Sequence, residues 1–267
     1  MVLMGVGLLR TALASTECQG PSDDCVAVRS WHFSLSLGLG VRTNPLREGR
    51  DIPLVIVPQF SYYGKRFFVE NLDLGFTLAD ARNNTVSLIG SPGYDRVFFY
   101  RTDLQNFFVA GADTAFSTNR PTLAHRQFPA RPRRVTYLAG PEWTFRYRGL
   151  SGQLDLLHEV TGRNHGDEIR GAVHIPLIES VGALSANVGF TWKSAAIVNY
   201  YYGIPNAYQA GADFNPFVKV GYSRPLGGRW KLQAFVHLER LGNAIADSPI
   251  VGQRYVTTVF AGARYDF

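Results

Sequence analysis

The stretch Trp31-His32-Phe33-Ser34-Leu35-Ser36-Leu37-Gly38-Leu39-Gly40-Val41 decides the fold. Large apolar side chains occupy every odd position, and small or polar ones every even position. A strand sends successive side chains to opposite faces, whereas a helix repeats every 3.6 residues, so only a strand sorts this stretch into two clean faces.

The same alternation recurs along the chain. Leu54, Ile56, Phe60 and Tyr62 are read as one face. Phe68, Leu72, Leu74, Phe76 and Leu78 are read as the face of a single strand, interrupted by Glu70. A short run follows at Val86 and Leu88, then a weaker strand within 97–110. Trp143, Phe145 and Tyr147 come next, then Leu154 and Leu156, then Ile169, Val173, Ile175 and Leu177. Four more strands carry Leu184 to Trp192, Phe214 to Tyr222, Trp230 to Leu238 and Tyr255 to Phe267. The total is about twelve, an even number, and many strands are long enough to cross a membrane at a tilt, which takes about 9–11 residues. A soluble β-sandwich also alternates, but its strands usually run only about 5–6 residues.

Connection lengths alternate as well. Tight turns fall at Gly64-Lys65, Arg148-Gly149 and 224–229; longer polar loops fall at 42–53, 111–133, 161–167, 194–213 and 241–254. The expected fold is all-β: an antiparallel transmembrane β-barrel of about twelve strands. Short periplasmic turns, longer external loops and periplasmic termini complete it, as in an integral protein of the Gram-negative outer membrane. Trp31, Trp143, Tyr147, Trp230, Tyr265 and Phe267 gather at the periplasmic strand ends and Trp192 at an external end, where amphipathic rings prefer to sit. The closing Tyr265 and Phe267 resemble the assembly signal read by the barrel-assembly machinery.

Composition agrees. Of 267 residues, 13% are aromatic and 18% charged, the latter below the roughly 25% of a soluble domain. No apolar run reaches the roughly 18 residues of a membrane helix. The net charge of +6 is spread along the chain with one cluster at 120–134, and no nucleic-acid motif accompanies it, so no nucleic-acid partner is expected. Residues 1–14 read as a weak signal peptide: Ala12-Leu13-Ala14 offers a cleavage site, but the basic start is missing and Arg10 breaks the apolar run. Residues 15–30 form a periplasmic N-terminal segment, and 31–267 the barrel. Cys18 and Cys25 in that segment either close a disulfide loop, as an even count in an exported protein suggests, or are idle thiols.

The chain resembles the MipA/OmpV family of outer-membrane proteins. The resemblance is carried by Val57-Pro58-Gln59-Phe60-Ser61-Tyr62, by Leu74-Gly75-Phe76, and by Asp155 through Glu168 with Gly162 and Gly166. It is also carried by Trp192-Lys193-Ser194 leading to Asn199-Tyr200-Tyr201-Tyr202-Gly203-Ile204, by Ser248-Pro249-Ile250-Val251, and by Tyr265-Asp266-Phe267. It covers about residues 31 to 267 and is poorest over 97–133. It implies a scaffold that ties a murein lytic transglycosylase to a penicillin-binding protein, while other members are described as porin-like proteins or adhesins.

Chemical motifs are sparse. No zinc-protease, serine-hydrolase or nucleotide-binding pattern is present. A rim-located hydrolase would have to use His158, His165, Asp167 and Glu159, near one external loop. No enzymatic role, cofactor or metal site is expected. Alternation instead points Glu142, Arg146, Asp155, Arg170, His174, Lys219, Lys231, His237, Glu239 and Arg264 into the lumen, because charge on the lipid face costs about 2–4 kcal/mol for Arg or Lys at the midplane. These charges either pair and fill the lumen or line a narrow pore for small polar solutes. Arg126, Arg131, Arg133 and Arg134 could meet lipopolysaccharide phosphates, although a solvated loop is the simpler reading. Tyr200, Tyr201, Tyr202 and Gly203 form an external-loop motif that is a plug, a binding patch or, in the favoured reading, simple loop packing.

Overall fold

The computed structural model describes residues 29–47, 49–99, 133–180 and 182–267. Twelve strands run in a closed antiparallel order: β1 (Trp31–Arg42), β2 (Ile52–Tyr63), β3 (Phe67–Glu70), β4 (Asp73–Ala81), β5 (Asn84–Pro92), β6 (Tyr137–Tyr147), β7 (Leu150–Glu159), β8 (Asp167–Ile178), β9 (Ala183–Lys193), β10 (Asp213–Gly227), β11 (Trp230–Arg240) and β12 (Tyr255–Asp266). Each strand pairs with its neighbours in sequence, and β12 closes on β1 from Ser34↔Asp266 to Arg42↔Thr258.

The alternation of β1 is realised as two environments. Leu39 is 79% exposed on the outer face, whereas Ser36 on the inner face is 1% exposed. Phe33, Leu78, Leu88, Leu156 and Val236 extend the exposed apolar surface around the wall. Soluble monomers rarely expose more than a few hundred Å² of contiguous apolar surface. A closed barrel satisfies its backbone hydrogen bonds between strands, so such a surface belongs in hydrocarbon. Inside, Gly38 and Gly40 leave room for the Phe260 ring: a Cβ on Gly38 would lie 2.8 Å from its Cζ.

One end of the barrel carries both wall termini and the short connections. Arg148 and Gly149 take positive φ of 48° and 83° between β6 and β7, the conformation that two-residue hairpins demand. The other end carries the long connections. They hold a 3₁₀ helix (Tyr94–Phe98) after β5, α1 (Ala195–Tyr202) after β9 and α2 (Asn243–Ala246) after β11.

Three readings from sequence change. The stretch 68–78 is two strands, because Asn71 (φ 53°) turns the chain back. Its amide donates to the Phe60 carbonyl and its Oδ1 accepts from the Phe60 amide. Phe68 therefore faces inward against Gly75, while Leu74, Phe76 and Leu78 face outward. As a result β2 meets β3 only from Ser61 to Tyr63. Leu54 does not share an outer face with Ile56. A register shift between Leu37 and Gly40 turns it inward, where it packs with Ile52, Val57 and Phe260. Val97 and Phe98 lie in the 3₁₀ helix and not in a strand. Phe99 ends that helix; residues 100–110 of the expected strand lie outside the described residues, as do the signal peptide, Cys18, Cys25, Arg126 and Arg131.

Candidate functional site

The barrel interior divides into a filled loop end and an open turn end. At the loop end α1 folds into the mouth. Its apolar side buries Ile197, Val198, Tyr201 and Tyr202, which pack with Val97, Ile245, Ile250 and Val251 from other loops. They meet inward wall residues Ile89, Leu138, Leu157 and Val256. Gly203 ends the helix, and a Cβ there would come within 2.5 Å of the Asn199 carbonyl oxygen. The motif Tyr200–Gly203 is thus the centre of a plug.

A polar network pins this plug to the wall. Lys193 Nζ, at the top of β9, donates to both oxygens of Asp95 at 2.7 Å, and the Tyr202 hydroxyl donates to Asp95 Oδ1 at 2.8 Å. Burial first, then the Asp95 carboxylate, hold the Tyr202 hydroxyl well above its usual pKa, so it remains a donor. Ser248 Oγ donates to the Tyr202 carbonyl at 2.6 Å, and Arg133 Nε to the Tyr201 carbonyl at 2.7 Å. The Arg133 and Arg42 guanidiniums lie over the Phe99 and Phe98 rings at 4.2 and 4.9 Å. Asn44 Nδ2 donates to the Phe98 carbonyl at 2.9 Å, tying in the β1–β2 loop.

The lumen-charge candidates form separate groups. Arg170 Nε donates to Glu168 Oε1 at 2.6 Å and its Nη1 to Ser91 Oγ at 2.7 Å, reaching from β8 to β5. Asp155 stands opposite Arg170 in register, and Gln153 Nε2 donates to both Glu142 and Asp155 at 3.0 Å. Lys219 pairs in register with His237; its Nζ lies 4.8 Å from the Phe235 ring, and His237 packs edge-on against Phe217. Arg264 Nε and Lys231 Nζ share Asp266, at 2.7 and 3.6 Å. Glu239 lies in the field of Lys193 and Arg42 near the plug, away from Arg146 and His174 at the turn end. Sequence reading missed Asp95, Lys193, Glu168, Arg42 and Asp266. Alternation with Ile169 and Trp192 places Glu168 and Lys193 on the inner face, where they are cross-strand partners; Asp95 precedes the strand expected within 97–110 and lies in the 3₁₀ helix after β5.

At the turn end a cavity of about 1560 Å³ opens. Its walls carry small or neutral polar groups, including Thr85, Thr144, Ser151, Gln153, Ser185 and Asn187. His174 Nδ1 lies 3.0 Å from Asn187 Oδ1.

The rim histidine cluster builds a loop. Both oxygens of Glu159 are occupied, one by Thr161 and the other by the amides of Arg163, Asn164 and His165. His158 Nδ1 lies 2.8 Å from Asp167 Oδ1 on exposed surface, and the Asp167 amide donates to Ser194 Oγ at 2.9 Å. Asp167, and not the imidazole, stands in the middle, whereas a nucleophilic triad needs the imidazole there.

A family model described as MltA-interacting protein MipA matches residues 35–267. The MltA-interacting protein of Escherichia coli (strain K12) is 22% identical over 251 residues, covering 91% of this chain and 93% of that one. Outer membrane protein OmpV of Vibrio cholerae is 31% identical over 121 residues, covering 41% of this chain and 46% of that one. Among solved structures, the outer membrane protein OmpT of Vibrio cholerae aligns with a TM-score of 0.38 at 7% identity, covering 90% of this chain and 100% of that one.

Proposed function

Because this chain belongs to the MipA family and is an integral outer-membrane barrel, we propose that it is a closed, non-catalytic anchor whose turn-side mouth receives periplasmic partners. The partner proposed is a murein lytic transglycosylase, as the name of the Escherichia coli relative suggests, with a penicillin-binding protein as the second member of the scaffold. Lipid and lipopolysaccharide surround the wall, and the barrel-assembly machinery reads Tyr265 and Phe267.

The observation that carries this reading is the plug: loops after β1, β5, β9 and β11 converge on Tyr201 and Tyr202 and on the Lys193–Asp95 pair. A mouth filled in this way favours anchoring over conduction. The turns alone are too short for a stable interface, which takes about 800 Å² per partner, so the concave turn-end mouth supplies the remaining surface. The charged lumen favours a second reading, a small channel for polar solutes.

The test is single-channel recording of refolded barrel in a planar bilayer, with heat-modifiable gel migration as the folding control. A silent bilayer is expected, together with capture of the lytic enzyme from detergent extracts on immobilised barrel. Discrete, reproducible conductance steps would replace the anchor reading with the channel.

A further inference from the structure

The turn-end cavity has a charge arrangement that its wall chemistry does not require. Arg82 lies in the β4–β5 turn, Arg146 near the end of β6 and Arg148 in the β6–β7 turn, all lining the cavity and all exposed. The Arg146 amide donates to the Asn83 carbonyl at 2.8 Å, so the two turns lie side by side and the three arginines belong to one side of the mouth. Among the described residues none of the three has a carboxylate within ion-pair distance. Arg148 rests over the Tyr147 ring, 5.2 Å away. Of the acids on the lining, Asp80 already accepts the Thr85 hydroxyl at 2.8 Å, and Glu179 stands in the β8–β9 turn.

Clustered like charges repel, and the cost falls when an anion joins them. A guanidinium fork matches a carboxylate through two parallel hydrogen bonds. Beside them on the wall, Ser151, the cross-strand partner of Arg146, and Asn187 carry hydroxyl and amide groups that match backbone amides. The volume of about 1560 Å³ exceeds the roughly 300–1,000 Å³ of small-molecule pockets, which suits a segment of several residues. We infer that the vestibule binds an acidic peptide segment, its carboxylates held by Arg82, Arg146 and Arg148. This rests on the reading that the mouth meets periplasmic partners and names the chemistry they would present.

The probe is a labelled six-residue peptide of alternating glutamate and glycine, titrated by fluorescence anisotropy into full-length refolded barrel in detergent. Its counterpart with lysine for glutamate is the comparison. The acidic peptide should bind, and binding should weaken steeply as salt rises, because exposed charges are screened within about 10 Å at 0.1 M. The triple variant R82Q/R146Q/R148Q should weaken it by about tenfold or more, the loss of roughly one good contact, and Arg146→Gln alone by less. Arg224→Gln, at the same end of the barrel but in register with the outward Leu232, should leave it unchanged. Equal binding by the folded triple variant, or by the lysine peptide, would overturn the inference. No enzyme enters this titration, so failure to capture a lytic enzyme is a separate result and bears on the anchor reading alone.

Discussion

The loop half and the turn half of this barrel are built from the same strands and the same alternation, yet one is filled and the other is open. The difference lies in what stands at the inward positions. Towards the loops these are Ile89, Leu138, Leu157 and Val256, which accept the plug. Towards the turns they are polar, and Thr85, Thr144, Ser151 and Ser185 among them are too small to meet across the lumen. Alternation fixes which way a side chain points; side-chain volume and the length of the adjoining loop decide whether the space is filled.

The contrast can be broken most severely at Lys193. Replacing it with methionine strands the buried Asp95 carboxylate, and removing one partner of a buried pair typically costs about 3–5 kcal/mol. The loop end should loosen, conductance steps should appear in a planar bilayer, and heat-modifiable migration should show that the wall persists. The double variant K193M/D95L should restore silence. Leu138→Ala opens a hole between wall and plug and should lower stability to urea by about 2–5 kcal/mol. Tyr202→Phe keeps the ring and loses a hydrogen bond to a charged group, for which about 1.5–3 kcal/mol is expected in the same urea titration. At the turn end, Thr144→Val should change stability to urea by less than about 0.5 kcal/mol. A large effect there would mean that the vestibule wall is packed after all.

The wall was largely legible in the sequence because period-2 patterning survives in each strand independently of its partners. The failures have local causes. The turn at Asn71 was invisible because two turn residues leave the even spacing of Phe68, Leu72, Leu74 and Phe76 in phase across the break. The inward turn of Leu54 depends on a register shift in β1, which no pattern within β2 reports. The loops that build the plug were read as polar, and loop packing was preferred to a plug for Tyr200–Gly203, although Ile197, Val198, Ile250 and Val251 already carried its apolar content. Asp95 and Lys193 are 98 residues apart; alternation fixes the face of Lys193 but cannot name its partner. Arg146 was expected in the lumen, but its companions Arg82 and Arg148 lie in turns, where alternation says nothing.

The early reversal at Asn71 makes the barrel mechanically uneven. Between β11 and β12 the ladder runs from Trp230↔Tyr265 to Arg240↔Tyr255, whereas β2 and β3 are stitched only from Ser61↔Glu70 to Tyr63↔Phe68. Cooperative stability follows the number of bonds that must open together. The β2–β3 seam is therefore where the cylinder would unzip under load, and its amides should exchange with solvent deuterium before those of any other ladder among the described residues.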